Sequence, residues 1–141
     1  MSLAAAIETN GVAELLGSRV GILAGLPPLL VVATATTLVI FLTEITSNTA
    51  TAAAVVPLLA ALAPGLGLNP YLLIVPAAIA ASCAFMLPVA TPPNAIVFGT
   101  GRMTILQMCR AGLWLNLIGI ALITALTYGL VLPLLGTPPV P

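Results

Sequence analysis

Between Arg19 and Arg102 this chain carries a single charged side chain, Glu44. Soluble domains are about one-quarter charged residues, so water is not the main solvent of such a sequence. At the centre of a bilayer each charge costs about 3 kcal/mol or more, and an uncharged stretch of this length is what a membrane location demands. The other charges of the 141-residue chain are Glu8, Glu14, Arg19, Arg102 and Arg110, and there is no histidine. Three cations cannot neutralise a phosphate backbone, which excludes nucleic acid as a partner. With no imidazole and only two cysteines, Cys83 and Cys109, a zinc centre or histidine-based catalysis is excluded almost as firmly, and the chain reads as no enzyme. Abundant Ala and Gly let helices approach closely in lipid. The fold class expected is therefore an all-α integral membrane bundle.

The apolar segments have the wrong lengths for simple crossings. Pro27 and Pro28 open an apolar helix running to about Leu42, and a second runs from about Thr49 to Ala63. Between them lies the polar cluster Thr43-Glu44-Ile45-Thr46-Ser47-Asn48-Thr49. At 1.5 Å per residue the two helices are roughly 24 and 22 Å long, short of a hydrocarbon core of about 30 Å. The economical reading is a re-entrant helical hairpin over 27–63 that turns at mid-depth. After the turn at Pro64–Pro70, the sequence predicts a helix over Tyr71–Leu87, a stop at Pro88–Asn94, and a shorter helix over about Asn94–Gly101. Pro92 and Pro93 cannot continue a helix through their own positions, so 64–110 reads as one broken transmembrane helix with loops. Arg102 and Arg110 then flank a loop, and 111–135 is a full final transmembrane helix.

The ends are plainer. Segment 1–26 reads as an interfacial arm and linker, with an amphipathic helix over Leu3–Leu16 and Gly17 as its stop. It lacks the basic start of a signal peptide. Glu8, Glu14 and Arg19 read as solvated interface residues, Trp114 as an interfacial anchor, and 136–141 as a frayed tail.

Irregular backbone at membrane depth is tolerated only where protein or a watery cavity satisfies it. Two such points are expected at similar depth, Thr46–Thr49 and Ala90–Asn94. Each starts a helix, and a helix start presents unpaired N–H groups and a positive dipole end suited to an anion. Each also ends a helix, leaving carbonyls near Thr43–Thr46 and Pro88–Ala90 that suit a small hard cation such as Na⁺. An anion and Na⁺ bound side by side offset each other's charge. Plain helix capping at Ser47 and a structural kink at Pro92-Pro93 are the bland alternatives. Polar caps at mid-membrane need a reason, and the kink and the site are compatible. Glu44 is read as a carboxylate bonded to backbone near the hairpin tip, ahead of a functional role, and Asn116 as a helix–helix hydrogen bond.

The runs TEITSNTATAAA at 43–54 and ASCAFMLPVATPPNAIVFG at 81–99 closely resemble the divalent anion–sodium symporter family, which carries di- and tricarboxylates or sulfate. The resemblance covers nearly the whole chain, and the second run is long and specific. It implies substrate contacts from Asn48, Thr49, Thr91 and Pro92. It implies a Na⁺ site from Thr43, Thr46, Asn48 and Ala90, mostly through backbone carbonyls, with Na⁺ as coupling ion and no cofactor. Family members contain two inverted repeats, and one Ser-Asn-Thr with one set of breaks matches the C-terminal repeat, half of such a transporter. The implied partners are a small anion, Na⁺, membrane lipid and the missing N-terminal repeat or a partner chain, with a homodimer in the complete assembly. Met1 is compatible with an internal position in a longer frame. Alternatives are a non-transporting fragment or split-gene membrane subunit, and a family branch coupled to H⁺ or carrying another oxyanion. The positive-inside rule applied to Arg102 and Arg110 puts their loop in the cytoplasm of a cell (inner) membrane protein, with the C-terminus and the hairpin mouth outside.

Overall fold

The computed structural model describes residues 26–135, so the interfacial helix expected over Leu3–Leu16, the charges at 8, 14 and 19, and the tail 136–141 lie outside the described residues. Helix α1, Pro28–Thr43, begins with its proline in the first turn, where a missing N–H costs nothing, and ends at Glu44. Helix α2, Asn48–Leu62, is capped by Ser47, whose side chain accepts the Ala50 N–H at 3.0 Å. These bounds fall within a residue or two of those expected from the sequence.

A one-turn 3₁₀ segment, Pro64–Leu66, closes at Gly67, whose φ of 67° only glycine adopts without strain. Asn69 then accepts the Tyr71 N–H at 3.0 Å and donates to the Leu135 carbonyl at 2.9 Å, tying this turn to the last of the described residues. Helix α3, Tyr71–Ala80, follows. It ends seven residues before Leu87, the expected limit. An unwound stretch, 81–91, leads to the short helix α4, Pro92–Gly99. The two prolines occupy the first two positions of α4 and start it, rather than interrupting the chain ahead of a helix that begins at about Asn94.

Helix α5, Ile105–Leu126, continues through a π turn, Thr127–Val131, into α6, Leu132–Leu135. It starts six residues earlier than the expected 111, because Thr104 and Gln107 form a reciprocal capping box. Arg110 therefore sits in the second turn of the helix and does not close a loop. The 31 residues from Ile105 to Leu135 are long and apolar enough to cross a membrane.

The helices are apolar nearly all round, so packing is set by which residues are small or polar rather than by amphipathic patterning. One face of α1 (Val32, Thr36, Val39, Ile40 and Thr43) is buried. Val39 and Ile40 pack with Ala77, Ala80 and Ala81 at the end of α3 and with Ile123 of α5. A second cluster joins Val32, Ala63, Leu72 and Leu73 near the turn. Elsewhere large apolar side chains point outward, with Leu38 66% and Trp114 69% exposed, which suits contact with lipid or further protein.

Candidate functional site

The hairpin break spans 44–47, between α1 and α2; the second break spans 81–91. The two meet. A cavity of about 390 Å³ is lined by Asn48, which opens α2 directly after the first, and by Ser82, Ala84, Phe85, Thr91, Pro92, Pro93 and Asn94 from the second and its following helix. A volume of a few hundred Å³ is that of a small-molecule site. No lining residue carries a charge. A larger hollow of about 680 Å³ lies at the opposite end of the bundle, lined by Pro27, Pro64, Tyr128 and Leu132 among others. Its walls are mostly apolar and it touches neither break.

The second break is held open by side chains from outside it. The Glu44 carboxylate, 4% exposed, accepts the N–H groups of Phe85 at 2.8 Å, Met86 at 3.0 Å and Leu87 at 3.2 Å. Asn116 of α5 donates its Nδ2 to Glu44 Oε1 at 2.8 Å. Asn94 Nδ2 donates to the carbonyls of Ala84 at 2.9 Å and Leu87 at 3.0 Å. Buried backbone must find partners, and these replace the helical ones that 81–87 forgoes. Glu44 is thus bonded to backbone, as the sequence suggested, but to the second break rather than to the hairpin tip. Asn116 makes the interhelical bond expected of it.

The first break contributes oxygens. The Thr43 hydroxyl lies 2.8 Å from the Ala81 carbonyl and 2.8 Å from Asn48 Oδ1, so one proton serves two acceptors. Thr46 donates to the Leu42 carbonyl at 2.9 Å and pairs with the Thr51 hydroxyl. Of the residues named for Na⁺, Thr43 and Asn48 touch through their side chains; Thr46 faces Thr51, and no side chain links Ala90 to the group. Of those named for substrate, Asn48, Thr91 and Pro92 line the cavity, while the Thr49 side chain is exposed outside its lining.

One expectation needs correcting, that both helix starts offer free N–H groups. At α2 the Asn48 and Thr49 N–H groups, in the first two helical positions, have no intrahelical acceptor. At α4 the corresponding positions are Pro92 and Pro93, which have no N–H, and the Asn94 N–H is taken by Thr91 Oγ1 at 3.4 Å. The second start therefore offers a dipole end and the Thr91 hydroxyl proton, but no backbone donor.

The chain is helical and apolar, and its two breaks border one cavity that carries hydroxyl and carboxamide groups but no charge. The profile of the sodium:sulfate symporter transmembrane region matches residues 1–135, and the chain belongs to that family of transporters. A sodium-dependent dicarboxylate transporter, SdcS, of Staphylococcus saprophyticus is 50% identical over 144 aligned residues, covering 100% of this chain and 28% of that protein. The SdcS protein of Staphylococcus aureus strain MRSA252 is 48% identical over 136 residues, covering 96% of this chain and 26% of its own length. The chain spans about a quarter of the length of these curated relatives.

Proposed function

We propose that this chain supplies one wall of the binding site of a transporter that moves a dicarboxylate, or a related divalent anion, together with Na⁺ across the cell membrane. The observation that carries the reading is the meeting of the two breaks at one cavity, with Asn48 on one side and Thr91 and Pro92 on the other. The α2 start brings the Asn48 and Thr49 N–H groups and its positive dipole end to an anion's oxygens. Thr91, with an oxygen lone pair engaged by the Asn94 N–H, has its hydroxyl proton left to donate. A hard cation fits beside them: Thr43 Oγ1, Asn48 Oδ1 and the Ala81 carbonyl are three oxygens sharing one proton, a set that gains an attractive partner when Na⁺ binds. Thr46 and Ala90 complete the ligand set in this reading through their carbonyls. Na⁺ here is cargo and coupling ion, and the chemistry is transport rather than catalysis.

In the same reading α1 and α2 form a re-entrant hairpin opening to the outside, the Arg102 side of the bundle faces the cytoplasm, and the C-terminus is external. The complementary wall comes from a second, inverted repeat or partner chain, and the complete assembly is a homodimer. The identity to relatives named as sodium-dependent dicarboxylate transporters supports the substrate class. An H⁺-coupled reading would make Glu44 the proton carrier; its oxygens already accept backbone and carboxamide hydrogens, which favours Na⁺.

The test is uptake of labelled succinate, citrate and sulfate in cells or vesicles containing the full transporter, with Na⁺ or with choline outside. Na⁺-dependent uptake that falls at least roughly tenfold when Asn48, Thr49 and Thr91 are all replaced by Ala in one variant is expected, the loss of about 1.4 kcal/mol of binding or more. Uptake untouched by all three substitutions, or driven by a pH gradient and indifferent to Na⁺, overturns the reading.

A further inference from the structure

The second break has two faces. Ala84 and Phe85 line the cavity on one. The other lies directly against α5, and three residues one turn apart on that helix make the contact. Cys109 Sγ sits 3.5 Å from the Met86 carbonyl. At Gly112 the two backbones touch with nothing between, since a Cβ there would come within 2.5 Å of Met86 Cα. Asn116, fully buried, reaches Glu44 Oε1, the oxygen that also accepts from Phe85 and Met86.

The Asn116 side chain is telling. Its Oδ1 is buried with no hydrogen-bond partner. An apolar residue of similar size would avoid that orphaned acceptor and would suit the membrane interior better. Nothing else on α5 needs a carboxamide at 116; what it supplies is the Nδ2 bond to Glu44. That bond fixes the rotation of the carboxylate, and the carboxylate fixes the N–H groups of 85–87.

We propose that Asn116, acting through Glu44, is a positioning residue for the anion site: the final transmembrane helix sets where the second break presents Phe85 and Thr91 to the solute. This rests on the transport reading above. Without the Asn116 bond the break still forms, because Glu44 keeps its backbone donors, but its register against the cavity loosens. The cost falls on binding rather than on turnover.

The experiment compares Asn116→Leu with the parent in the full transporter, in a background where Cys109 is the only cysteine. Two quantities are read: the KM and maximal rate of Na⁺-driven succinate uptake, normalised to protein in the membrane, and the rate of Cys109 alkylation by N-ethylmaleimide. The expected result is a KM about tenfold higher, the worth of one hydrogen bond to a carboxylate, with a maximal rate within about twofold of the parent. Cys109 alkylation should rise severalfold as Met86 moves away. Should Asn116→Leu not reach the membrane, Asn116→Ala, which removes the donor without adding bulk, is read in the same way. An unchanged KM and an unchanged alkylation rate, with uptake falling only in proportion to protein, overturn the proposal. If the parent carries no dicarboxylate, the transport reading has failed, and alkylation alone decides whether Asn116 holds the break.

Discussion

Glu44 and Asn94 grip the same turn of backbone with opposite polarity. The carboxylate takes the N–H groups of Phe85, Met86 and Leu87; the carboxamide gives to the carbonyls of Ala84 and Leu87. A helix satisfies such groups internally, four residues apart. Here two side chains from flanking elements do so, and the backbone between them is free to line a cavity instead of a helix axis.

The substitution Asn94→Asp tests that grip. The shape is preserved, but both donors vanish and a carboxylate faces two carbonyl oxygens. Leaving buried acceptors unpaired costs about 1–3 kcal/mol each, more where a charge is added. We expect the thermal unfolding midpoint in detergent to fall by several degrees, with Asn94→Ala falling less. If Asn94→Asp proves as stable as the parent, the break is held by something else.

Thr43 joins the two breaks, because its hydroxyl meets the Ala81 carbonyl and Asn48 Oδ1 at once. Thr43→Val keeps the volume and removes the oxygen. The Na⁺ concentration giving half-maximal uptake should rise about tenfold, the effect of losing roughly 1.4 kcal/mol of ion binding. Thr43→Ser, which keeps the hydroxyl, should stay within about twofold. Initial uptake rates across a Na⁺ series separate the two, and equal Na⁺ dependence in Val and Ser variants would remove Thr43 from the ion site.

The two helices flanking the first break were legible because their signals are local: prolines at the start of α1 and Ser47 as the cap of α2. The length of the second break was not. Residues 81–87, Ala-Ser-Cys-Ala-Phe-Met-Leu, contain neither Pro nor Gly and read as helix by propensity. What unwinds them is Glu44, about forty positions away in the chain, together with Asn94 beyond Pro88; periodicity within a window cannot register a partner so distant. The early start of α5 had a readable signal. Thr104-Ile105-Leu106-Gln107 is a capping-box pattern ahead of an apolar run. Arg102 and Arg110 point the other way, because charges at the end of an apolar run mark loops as often as helix ends. Pro92 and Pro93 do mark the place where helix and non-helix meet, but they begin α4, and their missing N–H groups leave the second helix start without backbone donors.

The glycines of α5 make the last prediction a matched pair. A Cβ at Gly112 would overlap the backbone of Phe85 and Met86, where no side chain can move aside. A Cβ at Gly119, two turns on, meets only Ile40 Cδ1 at 3.9 Å, an ordinary contact. Gly119→Ala should therefore be neutral or stabilising by up to about 1 kcal/mol, from helix propensity alone. Gly112→Ala should cost about 1–3 kcal/mol as the break is pushed off the helix, and it should weaken anion binding at the same time, because the displaced backbone is the cavity wall. Thermal unfolding and uptake KM, measured on both variants in the full transporter, check this. Equal behaviour of the two alanines would mean that α5 does not touch the break closely enough to shape it.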